Sequence, residues 1–223
     1  MDLLNKIQFK LVRTEVHEKR SRVIDDDHVV SDLTPYAYAP CRFALEERKQ
    51  IRRITDDLLK RQIIKPSVSP FCARIVSIRK RNGDLRLYAD LRPLNAKVCK
   101  QKYPFPRIED CLSQLSNKSA STLLDLKDRF HQIKIHSDCI KYLSFATPDG
   151  QYEHTRLPFG SSESPAEFQK RMVQILQPSV RAEEMIVYTD DILVPSESVT
   201  ENLKIIRKVL LTLKQYRFEI DYQ

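Results

Sequence analysis

Apolar positions recur at helical spacing from Leu45, with Ile51, Ile54 and Leu58 on one stripe, and the pattern stops before Pro66. Steps of three and four residues return to the same helix face, so a helix is predicted there. The rhythm then changes to two. RIVSIR (74–79) and DLRLYAD (84–90) flank Asn82-Gly83. Asn-Gly between two such runs predicts a hairpin, because the tight turn needs positive φ at its central residues. Period two sets Arg86, Tyr88 and Asp90 on one face and Leu85, Leu87 and Ala89 on the other. Arg86 is therefore expected to project away from the packed side.

The segment YPFPRIED (103–110) is punctuated by prolines and reads as a loop. STLLDL (121–126) is a short apolar run with polar flanks, predicted to be a buried strand. IKIH (133–136), KYLSFAT (141–147) and QYEHTRL (151–157) read as further strands, the last two joined by a Pro-Asp-Gly turn. Helical spacing returns with Phe168, Met172 and Ile175, with Ser164 as the expected N-cap and Pro165 at the first helical position. MIVY (185–188) and DILV (191–194) flank a tight Thr-Asp turn. Ser198 and Glu201 form the pattern of a capping box before a helix whose expected stripe is Leu203, Ile206, Leu210 and Leu213. RFEID (217–221) alternates and is predicted as a last strand. From residue 121, setting aside the inserted strands, the order is β-α-β-β-α-β. This is the split βαβ arrangement, an antiparallel sheet with helices on one face, in an α+β chain. Residues 1–40 lack clear periodicity and read as an arm with little structure.

Composition narrows the class. Of 223 residues, 41% are apolar and 30% charged, which suits a globular chain. No apolar run approaches the ~20 residues that span a bilayer, and the N-terminal stretch carries charges throughout, unlike a secretory signal. An intracellular location is expected, with no membrane partner. Five cysteines without a CxxC pair point to free thiols in a reducing compartment rather than to a zinc site. Net charge is +8. Its distribution is uneven: residues 41–110 carry 18 Lys/Arg against 8 Asp/Glu, while the stretches on either side each come to −1. A local positive field of this kind attracts a polyanion. Arg48, Lys49, Arg52 and Arg53 equally fit a solvated helix face.

Three acids carry the chemistry. Asp125 ends one apolar strand, and Asp190-Asp191 sit in the turn between two others. In a split βαβ sheet the first and third strands are neighbours, so the three carboxylates are expected at one sheet edge. Clustered carboxylates repel unless cations lie among them, and hard oxygen donors suit Mg2+, with Mn2+ as an alternative. Two such ions fit nucleotidyl transfer. An Asp-Asp pair alone is commonplace in turns. The flanking apolar strands and the matching Asp125 set this one apart.

Six blocks then give a specific resemblance: ALEERKQIRRITDDLLKRQIIKPSVSPF, RKRNGDLRLYADLRPLN, YPFPRIED, LLDLKDRFHQIKI, LPFGSSESPAEFQKRM and YTDDILV. In order and spacing they resemble the reverse transcriptases of gypsy-type LTR retrotransposon pol polyproteins. The resemblance implies a fingers-and-palm fold: fingers at 41–120 and 140–160, palm at 121–139 and 161–223. It implies an RNA-directed DNA polymerase using a template-primer of RNA or DNA and deoxynucleoside triphosphates. Asp125, Asp190 and Asp191 then correspond to the metal-binding triad. Arg86, with Lys80 or Arg81, falls where the fingers meet the triphosphate. Phe130 falls at the sugar-selecting aromatic, and Phe159 and Gly160 border the nucleotide. Gln169 and Tyr188 fall on the template-primer side. The family's thumb, RNase H and integrase are expected outside this chain.

The chain departs from the family where Ser-Gly-Tyr is replaced by Asp128-Arg129-Phe130, where Ser161 replaces a leucine, and at Thr189. If the corner after Asp125 needs positive φ, a bulky residue there is strained. A non-catalytic nucleic-acid-binding remnant of such a polymerase is the rival expectation.

Overall fold

The computed structural model describes residues 34–79, 83–98, 103–189 and 191–221. In chain order the elements are α1 (Leu45–Lys60), β1 (Ile64–Pro66), β2 (Ala73–Arg79), β3 (Leu85–Ala89), α2 (Arg92–Asn95), α3 (Ile108–Leu115), β4 (Ala120–Asp125) and α4 (Ser137–Ile140). They continue with β5 (Ser144–Thr147), β6 (Gly150–His154), α5 (Ser164–Ile175), α6 (Gln177–Arg181), β7 (Ile186–Tyr188), β8 (Asp191–Ser196) and α7 (Val199–Gln215). Among the described residues no helix is long and apolar enough to cross a membrane.

The chain divides into two compact units. The first takes the residues up to 100 together with Ile133–Ser164, and the second takes 101–132 with Pro165–Gln223. These boundaries differ from the 120/121, 139/140 and 160/161 divisions read from the sequence. Helix α3, whose first residues, 108–110, were expected as loop, falls in the second unit, and residues 133–139 fall in the first.

In the first unit a five-stranded sheet runs β1-β6-β5-β2-β3. The hairpin is as expected: β2 and β3 pair antiparallel, with Ile78 opposite Arg86 and Val76 opposite Tyr88. Leu85 and Ala89 are buried while Arg86 is exposed, which follows the period-two assignment. Helix α1 buries Ile51 completely, and Thr55 beside it returns its hydroxyl to the Ile51 carbonyl at 2.9 Å. The helix stops at Gln62, whose φ is +55°. Two predicted strands are shorter than their apolar runs. Residues 141–143 form a 3₁₀ turn before β5, and IKIH contributes only the bridge from Lys134 to Arg156.

The second unit is built on the antiparallel sheet β4-β8-β7. Its third strand in the chain, β8, pairs with the first, β4, from Ala120↔Ser196 to Asp125↔Asp191. A single bridge, Leu126↔Ile220, adds the last segment on the other side of β4. The predicted strand 217–221 is thus reduced to a bridge, held by Lys127 N–H on Glu219 O and Asp221 N–H on Asp125 O. The split βαβ order expected from the pattern is the order observed.

Helix α7 packs on β8 and β4, but its buried positions are Asn202, Ile205, Val209 and Leu213, and Leu203 is 62% exposed. The expected apolar stripe was therefore out of phase. The cause is Asn202, which is buried because its amide donates to Val194 O at 2.8 Å and meets the Thr122 hydroxyl at 2.7 Å. The capping box is also half as expected. Ser198 Oγ accepts from Glu201 N–H, but the Glu201 carboxylate accepts from Glu197 N–H.

Candidate active site

Strand pairing brings two of the three predicted acids together. Asp125 is the last residue of β4 and lies directly opposite Asp191, the first of β8, which in turn lies opposite Tyr188 on β7. Directly opposed residues share a face with Cβ atoms ~4.5–5.5 Å apart, and like charges in that relation are destabilising. Asp125 is half-buried and Asp191 exposed, so both carboxylates remain open to a cation. Asp190 lies outside the described residues, as do Lys80 and Arg81.

Left-handed backbone flanks both acids. The β7–β8 turn holds Thr189 at φ +50°. A β-branched residue in that region is an outlier, and something must fix it. Gln169 of α5 does so: its side chain, 0% exposed, donates to Val187 O at 2.7 Å and accepts from Thr189 N–H at 2.6 Å. Both ends of the amide are spent on the turn. Gln169 therefore bears on the site by positioning the turn at Thr189, two residues before Asp191.

The corner after β4 is left-handed twice in succession, with Asp128 at φ +52° and Arg129 at +35°. The positive φ that a glycine would supply is required here, and the chain adopts it without one. Arg129 turns back on the acid, with Nε 3.3 Å from Asp125 Oδ1 and Nη2 3.4 Å from Oδ2. The following 3₁₀ turn (Arg129–Gln132) carries Phe130, half-buried with its ring edge-on to buried Phe168 at 5.5 Å. Gln132 closes the corner. It donates to Lys127 O and Glu219 O and accepts from Glu219 N–H at 2.7 Å.

In the first unit the remaining predicted residues surround the end of β3. Phe159 meets Tyr88 edge-on at 6.2 Å. Gly160 has φ +95°, and a Cβ there would stand 3.0 Å from Ala89 O, so only glycine fits both the backbone and the space. Asn95 pins this loop, donating to Gly160 O and accepting from Ser162 N–H, both at 2.9 Å. The expected N-cap Ser164 is instead the first residue of α5. Its hydroxyl donates to Pro158 O at 2.8 Å and ties the helix start to the same loop.

Asn95 and Gln132 received no role from the sequence, although both sit inside blocks that carry the family resemblance, RPLN and DRFHQ. A side-chain amide bonding to backbone leaves no periodic signal. A further group was also missed. Arg74 stacks over Tyr38 at 4.7 Å, and Arg92 grips Asp90 through two contacts at 2.7 and 2.6 Å, which holds the Asp90 carboxyl below the usual carboxylate range.

The described cysteines Cys41, Cys72, Cys111 and Cys139 are free thiols. Burial raises the Cys72 and Cys111 thiols above their ordinary range, which disfavours the nucleophilic thiolate.

Known proteins are similar to this chain in sequence and in fold. The Pol polyprotein from transposon opus of Drosophila melanogaster is 34% identical over 186 residues, 81% of this chain and 18% of the relative. That from transposon 412 of the same organism is 33% identical over 211 residues, 92% of this chain and 16% of the relative. The chain thus spans less than a fifth of either polyprotein. Among solved structures, the foamy viral protease–reverse transcriptase in complex with RNA/DNA hybrid superposes with a TM-score of 0.77 at 26% identity, covering 87% of this chain and 26% of that one. The family model described as reverse transcriptase (RNA-dependent DNA polymerase) matches residues 78–223. That stretch runs from the fingers hairpin through both opposed acids to the last bridge beside Asp125, and by that match the chain belongs to the reverse transcriptase family.

Proposed function

We propose that this chain is the polymerase part, fingers and palm, of a gypsy-type retrotransposon reverse transcriptase, which copies an RNA or DNA template-primer from deoxynucleoside triphosphates inside the cell. The observation that carries the reading is the direct cross-strand pairing of Asp125 with Asp191, two carboxylates opposed at a strand end. An all-oxygen donor set with room for water suits Mg2+, and Mn2+ as its substitute. Asp125, Asp190 and Asp191 would hold two such ions. When bound, these supply activation of the primer 3′-hydroxyl and charge neutralisation at the leaving pyrophosphate.

The rest of the reading assigns work to the chain's own residues. Gln169 fixes the backbone of Val187 and Thr189, just before Asp191. Phe130, backed by Phe168, presents a ring to the sugar, and Tyr188 lies beside Asp191 on the template-primer side. Arg86, with Lys80 or Arg81, serves the triphosphate, and Phe159 and Gly160 form a loop at the nucleotide. The Arg74–Tyr38 stack and neighbouring Arg92 suit single-stranded template, since a guanidinium on an aromatic face offers both charge and a stacking surface.

Primer extension on RNA and DNA templates with Mg2+ or Mn2+ tests the proposal. Asp125→Asn and Asp191→Asn should each remove extension while leaving template-primer binding within about twofold, because the altered groups serve the metal rather than the duplex backbone. Extension retained by either variant would end the assignment. Binding without extension by the unaltered chain would support the non-catalytic remnant instead.

A further inference from the structure

The corner after β4 already places a cation on the acid assigned to the metal. Asp125 and Asp191 face each other across the ladder, a like-charge pair that needs a counter-charge. Within the described residues that charge comes from Arg129, whose guanidinium contacts both carboxylate oxygens of Asp125, at 3.3 and 3.4 Å. The chain reaches this contact through two consecutive left-handed residues, neither of them glycine, which an arginine adopts only against steric resistance.

Three properties define what such a group can do. A guanidinium stays charged at any physiological pH, so it neutralises Asp125 continuously. The contacts are longer than the ~2.7–2.9 Å of strong charge-assisted bonds, and the Arg129 side chain is 37% exposed, so the pair can open. Each Asp125 oxygen that receives a guanidinium N–H is also an oxygen the metal would use.

We propose that Arg129 is a resident counter-ion of the metal site, which competes with the divalent ion for Asp125 and so raises the metal concentration the chain needs. The proposal rests on the reading of Asp125, Asp190 and Asp191 as metal ligands. Its consequence is a metal threshold built into the chain: at low divalent concentration the arginine holds the carboxylate, and at high concentration it is displaced.

Mn2+ binding to the full chain, read from the loss of the free-ion signal in electron paramagnetic resonance, tests this without any catalytic assay. Arg129→Gln removes the charge and keeps the length. Arg129→Gly also removes the charge and suits the left-handed backbone, so it stays informative if the glutamine variant folds poorly. Both should bind Mn2+ roughly three- to tenfold more tightly than the unaltered chain, the scale of an exposed ion pair together with relief of cation–cation repulsion. Arg129→Lys keeps the charge and should stay within about twofold of the unaltered chain. Asp125→Asn should lose the site.

Unchanged affinity in both neutral variants, with loss in Asp125→Asn, would overturn the counter-ion role and leave the metal-site reading standing. An Arg129→Lys variant as tight as Arg129→Gln would also overturn it, because charge would not then be the determinant. Equal Mn2+ binding by Asp125→Asn and the unaltered chain, or none by any form, would bring down both readings.

Discussion

The two corners that carry the opposed acids solve one problem in different ways. Each holds a carboxylate at a strand end beside left-handed residues that are not glycine: Thr189 before Asp191, and Asp128 with Arg129 after Asp125. At the β7–β8 turn the solution is neutral and buried, a single glutamine amide spanning Val187 O and Thr189 N–H. At the β4 corner it is polar and open, a network of Gln132, the 217–221 segment and the Arg129–Asp125 pair. A buried amide tolerates no rearrangement, since each backbone group it satisfies would otherwise be stranded. An exposed network can exchange partners with water and ions. The difference separates a fixed acid from one whose counter-charge can change.

The sharpest way to break the comparison is Gln169→Leu. It keeps the bulk of the side chain and strands a buried carbonyl and a half-buried N–H, at a cost of about 2–4 kcal/mol. For a chain of this size that corresponds to a melting temperature roughly 5–15 °C lower. The deficit should not change with salt, because no charge is involved. A loss under about 1 kcal/mol would mean that the turn stands without the amide.

Gln132→Ala probes the open corner in the same way with a smaller expected effect. Its three hydrogen bonds are exposed, and water can replace part of each, so about 1–2 kcal/mol is expected. Hydrogen exchange at the Glu219 and Lys127 amides should quicken at the same time. Exchange unchanged at both would show that the 217–221 segment is held by the Leu126–Ile220 bridge rather than by the amide.

Much of this was legible in the residues. Apolar alternation gave the hairpin, and the strands on both sides of Asp190-Asp191 gave the sheet order that opposes Asp125 to Asp191. Periodicity reports burial by hydrophobicity, so it failed where burial is polar. Asn202 sets the inward face of α7 by bonding to Val194 and Thr122, and of the stripe assigned from Leu203, Ile206, Leu210 and Leu213 only Leu213 is buried. The same limit hid the duties of Asn95, Gln132 and Gln169, whose partners are backbone groups distant in sequence. The missing glycine at 129 was visible as a departure from the family. What took its place, an ion pair to Asp125, depends on a side-chain direction that no spacing rule supplies.

The smallest expected effect separates the two corners most finely. Arg129→Gly removes a left-handed non-glycine residue, worth roughly 1–2 kcal/mol. It also frees the unfolded chain, a loss of about 0.5–1 kcal/mol, and deletes an exposed ion pair worth about 0–1 kcal/mol. These nearly cancel, so stability at low ionic strength should change by less than about 1 kcal/mol. Salt then shifts the balance. Near 1 M ionic strength the screening length falls to about 3 Å, the pair loses most of its value, and the glycine variant should gain relative to the unaltered chain. Paired thermal melts at low and high salt would show a difference that moves in favour of Arg129→Gly, while that of Gln169→Leu stays constant. A loss above about 2 kcal/mol at both salts would place Arg129 among the structural supports of the corner, like Gln169 at the turn, because a displaceable counter-ion of the exposed kind cannot be worth that much.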